Sequence, residues 1–152
     1  FGGVFKLSAV ETDGILEPKI KISENVQKTT TPGFKQVYRF YDKDLMATAD
    51  VMTLFDEEID ASKPYHLFDP NFPWKSKEID NYHVKALLVP VFEKGKLVYE
   101  MPSLDEIRAH FQKEFNALWP AVLRLENPHE YYVDLSEKLW ALKQALIKKY
   151  KV

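Results

Sequence analysis

An α+β fold is predicted by three patterns that follow one another along the chain. Strand-type segments with antiparallel turn signals fill the first half, a second hairpin comes after a proline-punctuated stretch, and two amphipathic helical stripes close the sequence. Strands and helices are segregated rather than alternating as βαβ units, which argues against a doubly wound parallel sheet. With 152 residues the chain is one domain, or a domain with an appendage. A chain of that size buries roughly 70% of its unfolded surface, enough for a real core.

Residues 3 to 10 and 16 to 23 are expected to be extended, with Asp13-Gly14 between them as a hairpin turn. Lys19-Ile20-Lys21-Ile22 alternates strictly, so the two isoleucines face inward and the two lysines face the other way. Lys28-Thr-Thr-Thr31-Pro32-Gly33 ends this region as a turn. A third strand over residues 35 to 42 is rich in Tyr and Phe, and Asp42-Lys43-Asp44 turns the chain into a fourth over about residues 47 to 55. Pro64, Pro70 and Pro73 then lie among Tyr65, Phe68, Phe72 and Trp74, a pattern expected of an ordered connection wrapped over a surface. Residues 82 to 92 and 96 to 101 form the expected second hairpin, turning at Lys94-Gly95 with Pro90 at an edge or bulge.

Ser103-Leu-Asp-Glu106 is a capping box, and Leu104, Ile107, Phe111, Phe115 and Leu118 follow as one apolar stripe up to Pro120. A short strand from Tyr131 to Leu135 leads to Ser136 as a second cap. Leu139, Leu142, Leu146 and Tyr150 form the last stripe, with Lys148, Lys149 and Lys151 at the helix end that favours cations. Two parts are expected: residues 1–56 as an antiparallel strand region and 57–152 as a C-terminal α+β appendage.

A net charge of −2, from 21 basic and 23 acidic residues, supplies no global field for nucleic acid or an anionic membrane, so any anion site is local. The absence of cysteine removes disulfides, thiolate metal sites and thiol nucleophiles, and fits a cytoplasmic location. No apolar run reaches the length of a membrane span.

Lys6, Lys21 and Lys28 lie on or just after adjacent strands of one hairpin and are placed to converge; the plain alternative is a solvated strand face. A lysine on phosphate makes charge-assisted hydrogen bonds worth about 1.5 to 3 kcal/mol each, so three would hold a pyrophosphate. His66, His83, His110 and His129 have no metal-motif spacing and no evident carboxylate partner. Asp56-Glu57-Glu58 with Asp60 lacks the ligand spacing of a calcium loop and reads as a solvated loop. Lys35-Gln-Val-Tyr38-Arg39-Phe40-Tyr41 interleaves basic and aromatic residues as RNA-binding strands do, against which the overall charge counts. Trp119 and Trp140 read as core or interface residues.

Gly2-Gly3-Val4-Phe5-Lys6-Leu7, Pro18-Lys-Ile-Lys21-Ile-Ser23-Glu24, Lys28 with Thr31-Pro32-Gly33, Tyr38-Arg39, Pro102-Ser103-Leu104 and Leu135-Ser136-Glu137-Lys138-Leu139 occur in this order. On these landmarks, and over essentially all its positions, the chain resembles the C-terminal part of nicotinate phosphoribosyltransferases. The resemblance implies a parent transferase with an irregular α/β barrel. Such an enzyme joins nicotinate to phosphoribosyl pyrophosphate, giving nicotinate mononucleotide and pyrophosphate, with ATP hydrolysis coupled as in a ligase, in NAD salvage.

It also implies that the phosphoribosyl pyrophosphate loop, the phosphorylated histidine and the nicotinate-binding residues precede Phe1. The chain opens on Phe1 without a methionine, already in strand pattern, which adds to the expectation of a piece of a larger enzyme, inactive alone. Lys6, Lys21 and Lys28 match positions near the phosphate and nucleotide site. No catalytic residue, metal ligand or cofactor is expected on this chain itself, ATP and magnesium belonging to the parent. The implied partners are the rest of the polypeptide, a second copy in a homodimer, and the two small substrates, with no nucleic acid or membrane. The alternative is a non-catalytic binding or interaction module.

Overall fold

The computed structural model describes residues 3–25 and 28–150; Gly2 of the first landmark and Lys151 of the last helix lie outside these. Strand β1 (Ala9–Thr12) pairs antiparallel with β2 (Ile15–Pro18) across a two-residue turn. Asp13 and Gly14 take φ of 52° and 76°, the left-handed pair that an Asp-Gly hairpin turn supplies. The hairpin is shorter at its open end than the sequence suggests, starting at Ala9 and stopping at Pro18, while toward the turn it runs on to Thr12 and Ile15. Ser8 O accepts from Lys19 N at 2.8 Å and also from Gly33 N at 2.7 Å, while Lys21 O accepts from Thr30 N at 3.1 Å. Beyond Pro18, therefore, the turn at residues 28–33 takes up the polar backbone edge that a longer ladder would have used.

The central sheet has the order β10 (Tyr132–Leu135), β4 (Ala47–Leu54), β3 (Lys35–Tyr41), β7 (His83–Ala86). Strand β3 (Lys35–Tyr41) pairs antiparallel with β4 (Ala47–Leu54), as the aromatic-rich pattern and the Asp42 turn predict. Asp42 Oδ1 accepts from Asp44 N and Met46 N, both at 2.9 Å, which closes that turn. Strand β7 (His83–Ala86) adds to the other edge of β3, not to the segment after Lys94-Gly95. The expected second hairpin shrinks to β8 (Phe92–Glu93) and β9 (Lys96–Leu97) around that turn. Strand β10 (Tyr132–Leu135) runs parallel to β4, so strands from both sides of residue 56 share one sheet.

The stretch read as a connection contains a further hairpin, β5 (Tyr65–Phe68) with β6 (Ser76–Ile79). Pro64 stands just before it, and Pro70 and Pro73 fall in its loop, where a missing N–H costs no ladder bond. This hairpin covers the sheet face that carries Phe40, Ala49 and Val51, and Leu67 and Tyr82 complete the core. The Phe40 ring lies 4.9 Å from those of both Tyr65 and Tyr82, and the Tyr82 hydroxyl donates to Asp60 O and Lys63 O. Burial holds the Tyr65 phenol well above its usual range.

Helix α2 (Glu137–Tyr150) starts where Ser136 caps it, with Leu139 N donating to Ser136 Oγ at 3.2 Å. Ser136 Oγ donates to Glu57 Oε1 at 2.7 Å, so Glu57 of the acidic run is a structural anchor rather than a solvated loop residue. Leu139 is fully buried. Gly33, at φ +93°, sits against Leu54, Leu142 and Leu139, and a Cβ there would lie 2.8 Å from Leu54 Cδ2. Only glycine fits both that φ and that contact, so the turn after the lysines is locked beneath α2.

Helix α1 (Leu104–Asn116) has the predicted capping box, Ser103 with Glu106. Its stripe, in contrast, is not a core face: Leu104, Ile107, Phe111 and Phe115 are all exposed. Polar contacts dock the helix instead. Ala47 N donates to Ala117 O at 2.7 Å, and Glu114 accepts from Arg39 at 2.9 Å, Lys85 at 3.1 Å and the Tyr41 hydroxyl at 3.2 Å. Arg39 also grips Asp50 in a two-point pair at 2.8 and 2.9 Å, and the Tyr131 hydroxyl donates to Asp50 at 3.0 Å. Among the described residues no helix is long and apolar enough to cross a membrane.

Candidate phosphate-side lysine site

Lys6 lies in the extended segment before β1, Lys21 in the segment after β2, and Lys28 at the start of the turn. None of the three is on a strand, because the ladder stops at Pro18; the turn is what brings them together. Lys6 Nζ donates to Lys28 O at 3.1 Å, and Lys21 O receives Thr30 N two residues beyond Lys28. Lys28 N donates to Asn25 O at 2.9 Å, and Thr29 Oγ1 bridges to the backbone of Ser23. Two extended segments and one turn are thereby tied at neighbouring points. Lys21 is exposed between half-buried Ile20 and Ile22, as the alternation predicts, although Lys19 is half-buried too.

Charge pairing separates these three lysines from several others. Lys19 pairs with Glu17, Lys63 with Asp60 and Lys85 with Glu114. The Lys19 ammonium lowers the Glu17 carboxyl, and the hydrogen bond from Lys63 brings Asp60 down to about 2. Among the described residues no carboxylate lies within 4.0 Å of Lys6, Lys21 or Lys28, and all three side chains reach solvent. Lys6 reaches the backbone of Lys28, and the Lys21 backbone is bonded to the same turn, so the three residues stand on neighbouring stretches of chain, each, like most described lysines, without a carboxylate partner. An ammonium group without an acidic partner is able to make charge-assisted hydrogen bonds to an anion.

The sequence marked Thr31-Pro32-Gly33 as a turn but did not single out Lys35 as the side chain that ties it. Lys35 Nζ donates to Thr31 O at 3.0 Å and Gly33 O at 2.7 Å, and burial lowers its pKa. A lysine two residues after a Pro-Gly turn was the available signal. Thr30 is buried, and among the described residues its hydroxyl has no hydrogen-bond partner. Of the histidines, His66 does have a carboxylate neighbour, Glu137 Oε1 at 3.1 Å from Nδ1, brought there by the docking of α2 on the β5–β6 hairpin. Among the described residues no three of His, Asp and Glu gather as a metal-binding set. Trp140 is half-buried with its ring edge on Phe68, whereas Trp119 is exposed.

Residues 34–143 match the family described as Nicotinate phosphoribosyltransferase C-terminal domain. The chain is 39% identical over 147 residues to the nicotinate phosphoribosyltransferase of Bacillus subtilis, an alignment covering 96% of this chain and 30% of that protein. It is 36% identical over 141 residues to the Bos taurus enzyme of the same name, covering 93% of this chain and 26% of the relative. A crystal structure of human nicotinic acid phosphoribosyltransferase superposes with a TM-score of 0.68 at 29% identity, covering 81% of this chain and 24% of that one. The chain thus spans less than a third of the length of these relatives. With a family match over most of its length and sequence agreement running on through the lysine region, the chain belongs to the nicotinate phosphoribosyltransferase family, corresponding to its C-terminal part.

Proposed function

We propose that the chain works as the C-terminal portion of an enzyme that transfers a phosphoribosyl group to nicotinate, releasing pyrophosphate, at the step where nicotinate enters NAD salvage. ATP hydrolysis is coupled to the reaction, and the enzyme is a cytoplasmic homodimer. In this reading residues 1–56 border the active site and 57–152 support it. The observation that carries the reading is the gathering of Lys6, Lys21 and Lys28, without acidic partners, on a turn locked under α2. Negative charge develops on the departing pyrophosphate, and ammonium groups already in place stabilise it without reorganising.

The exposed stripe of α1, Leu104, Ile107 and Phe111, favours contact with the rest of the parent polypeptide or with a second copy. The same stripe is what an interaction module without catalysis would use, and one assay separates the two. The intact gene product and the 152-residue chain are each tested for nicotinate-dependent pyrophosphate release from phosphoribosyl pyrophosphate and ATP. The expected result is turnover by the intact product and none by the chain alone. An intact product without activity leaves the interaction module in its place.

A further inference from the structure

A cavity of about 450 Å³ opens between the core face of the central sheet, the β5–β6 hairpin and the segment after α1. That is the size of a site for a small organic molecule. Its walls include Phe68, Trp119, Tyr131 and Tyr132, and Asp134 of β10 also lines it. Asp134 stands in register with Val51, on the sheet face that carries the core. The residue is only 4% exposed, yet among the described residues its carboxyl has no hydrogen-bond donor and no cation. Nearby Asp69 does not help, since its own Oδ1 is occupied by Asn71 N at 2.7 Å and Phe72 N at 3.2 Å. Burial first, and the Asp69 charge second, push the Asp134 carboxyl up to about 6.

The Asp134 oxygens are not sealed in, but the little exposure the residue keeps lies at the cavity it lines, and an acid so enclosed gains from a hydrogen-bond donor placed there. Here the carboxyl faces a cavity in which four aromatic side chains stand among charged ones, Lys75 and Lys77 included. Aromatic walls select a flat ring, and a carboxylate with two free oxygens selects two parallel N–H donors on the edge of that ring. We propose that this cavity is a second ligand site, distinct from the lysine turn, that takes a planar nitrogen heterocycle presenting a ring N–H beside an exocyclic amino group, as guanine does. Asp134 accepts both N–H bonds, and Trp119, at the solvent edge, covers one face of the ring.

The test is calorimetric titration of the intact gene product with guanosine, with adenosine as the control that lacks the paired donors on one edge. Guanosine is expected to bind at least tenfold more tightly than adenosine. Asp134→Asn, which keeps the shape but replaces one acceptor oxygen with a donor, is expected to weaken guanosine at least tenfold. Trp119→Ala alters an exposed residue, so it leaves the fold intact while weakening both nucleosides. Circular dichroism on each variant verifies folding. Equal affinity for the two nucleosides, no effect of either variant, or no heat with the wild type because other parts of the polypeptide fill the cavity would overturn the assignment. None of these outcomes depends on the phosphoribosyl transfer reading.

Discussion

Arg39→Ala is expected to destabilise the fold by about 3 to 5 kcal/mol, the usual cost of removing one partner from a buried ion pair. The size follows from what the guanidinium serves. It meets Asp50 through two parallel bonds and Glu114 through a third, and both acids are mostly buried, with side-chain exposures of 12% and 17%. Deleting the cation leaves Asp50 with the Tyr131 hydroxyl alone, while Glu114 keeps Lys85 and the Tyr41 hydroxyl. The hydrogen bonds to Asp50 hold Arg39 well above its already high pKa, so the charge stays on at any pH at which the protein is folded. Arg39→Lys keeps the charge but not the planar fork and is expected to recover only part of the loss.

The same network predicts acid sensitivity. Burial pushes the Glu114 carboxyl up, but the bonds from Lys85, Tyr41 and Arg39 outweigh it and leave the pKa below its ordinary value. A lowered folded-state pKa means that the stabilisation is complete above the unfolded-state value, about 4.3, and disappears as the pH falls through the folded-state value. Urea titrations of wild type and Arg39→Ala from pH 7 down to pH 3 measure both effects. The gap between the two proteins is expected to narrow at the acid end.

In the intact enzyme, Lys21→Ala is expected to lower kcat/KM for phosphoribosyl pyrophosphate roughly 10- to 100-fold, the worth of one charged hydrogen bond to phosphate. This position gives the cleanest reading of the three. The contact that seats Lys21 is made by its backbone carbonyl, which accepts from Thr30 N, so truncating the side chain leaves the local fold in place. Lys6 is different, because its ammonium is bonded to Lys28 O, and Lys6→Ala removes a structural bond along with the charge. An unchanged midpoint of unfolding beside a reduced kcat/KM is the pattern expected for Lys21→Ala. Unchanged kinetics would remove Lys21 from the site.

Several features of the fold could be read from local pattern alone. The β3–β4 pair was marked by an aromatic-rich strand leading into an Asp turn, the first hairpin by Asp13-Gly14, and α1 by its capping box. What escaped was non-local. Strand β10 pairs in parallel with β4, some 80 residues earlier, and nothing in Tyr132–Leu135 names that partner. The β5–β6 hairpin was hidden because its prolines and aromatics read as a wrapped loop, although each proline falls where it takes no bond from the ladder. For α1 the periodicity correctly identified an apolar face, but periodicity does not say what covers that face, and within the described residues it is exposed.

The candidate site was legible to the same degree. Alternation put Lys19 and Lys21 on one face and the family resemblance chose Lys6, Lys21 and Lys28, but strands were the wrong device for joining them; backbone bonds around the Thr-Pro-Gly turn tie these stretches. Asp134 carried no signal, since an acid in a short strand reads as its solvent face until the register with Val51 turns it inward.

Direct binding of pyrophosphate to the intact gene product tests the role of the lysines most simply, because it needs neither nicotinate nor turnover. The measurement compares wild type with a variant that combines Lys6→Ala, Lys21→Ala and Lys28→Ala. The account predicts a loss of at least 100-fold in affinity for the triple variant, with the wild-type affinity falling as salt is raised. Equal pyrophosphate affinity in the two proteins would contradict it and return the three lysines to the solvated surface.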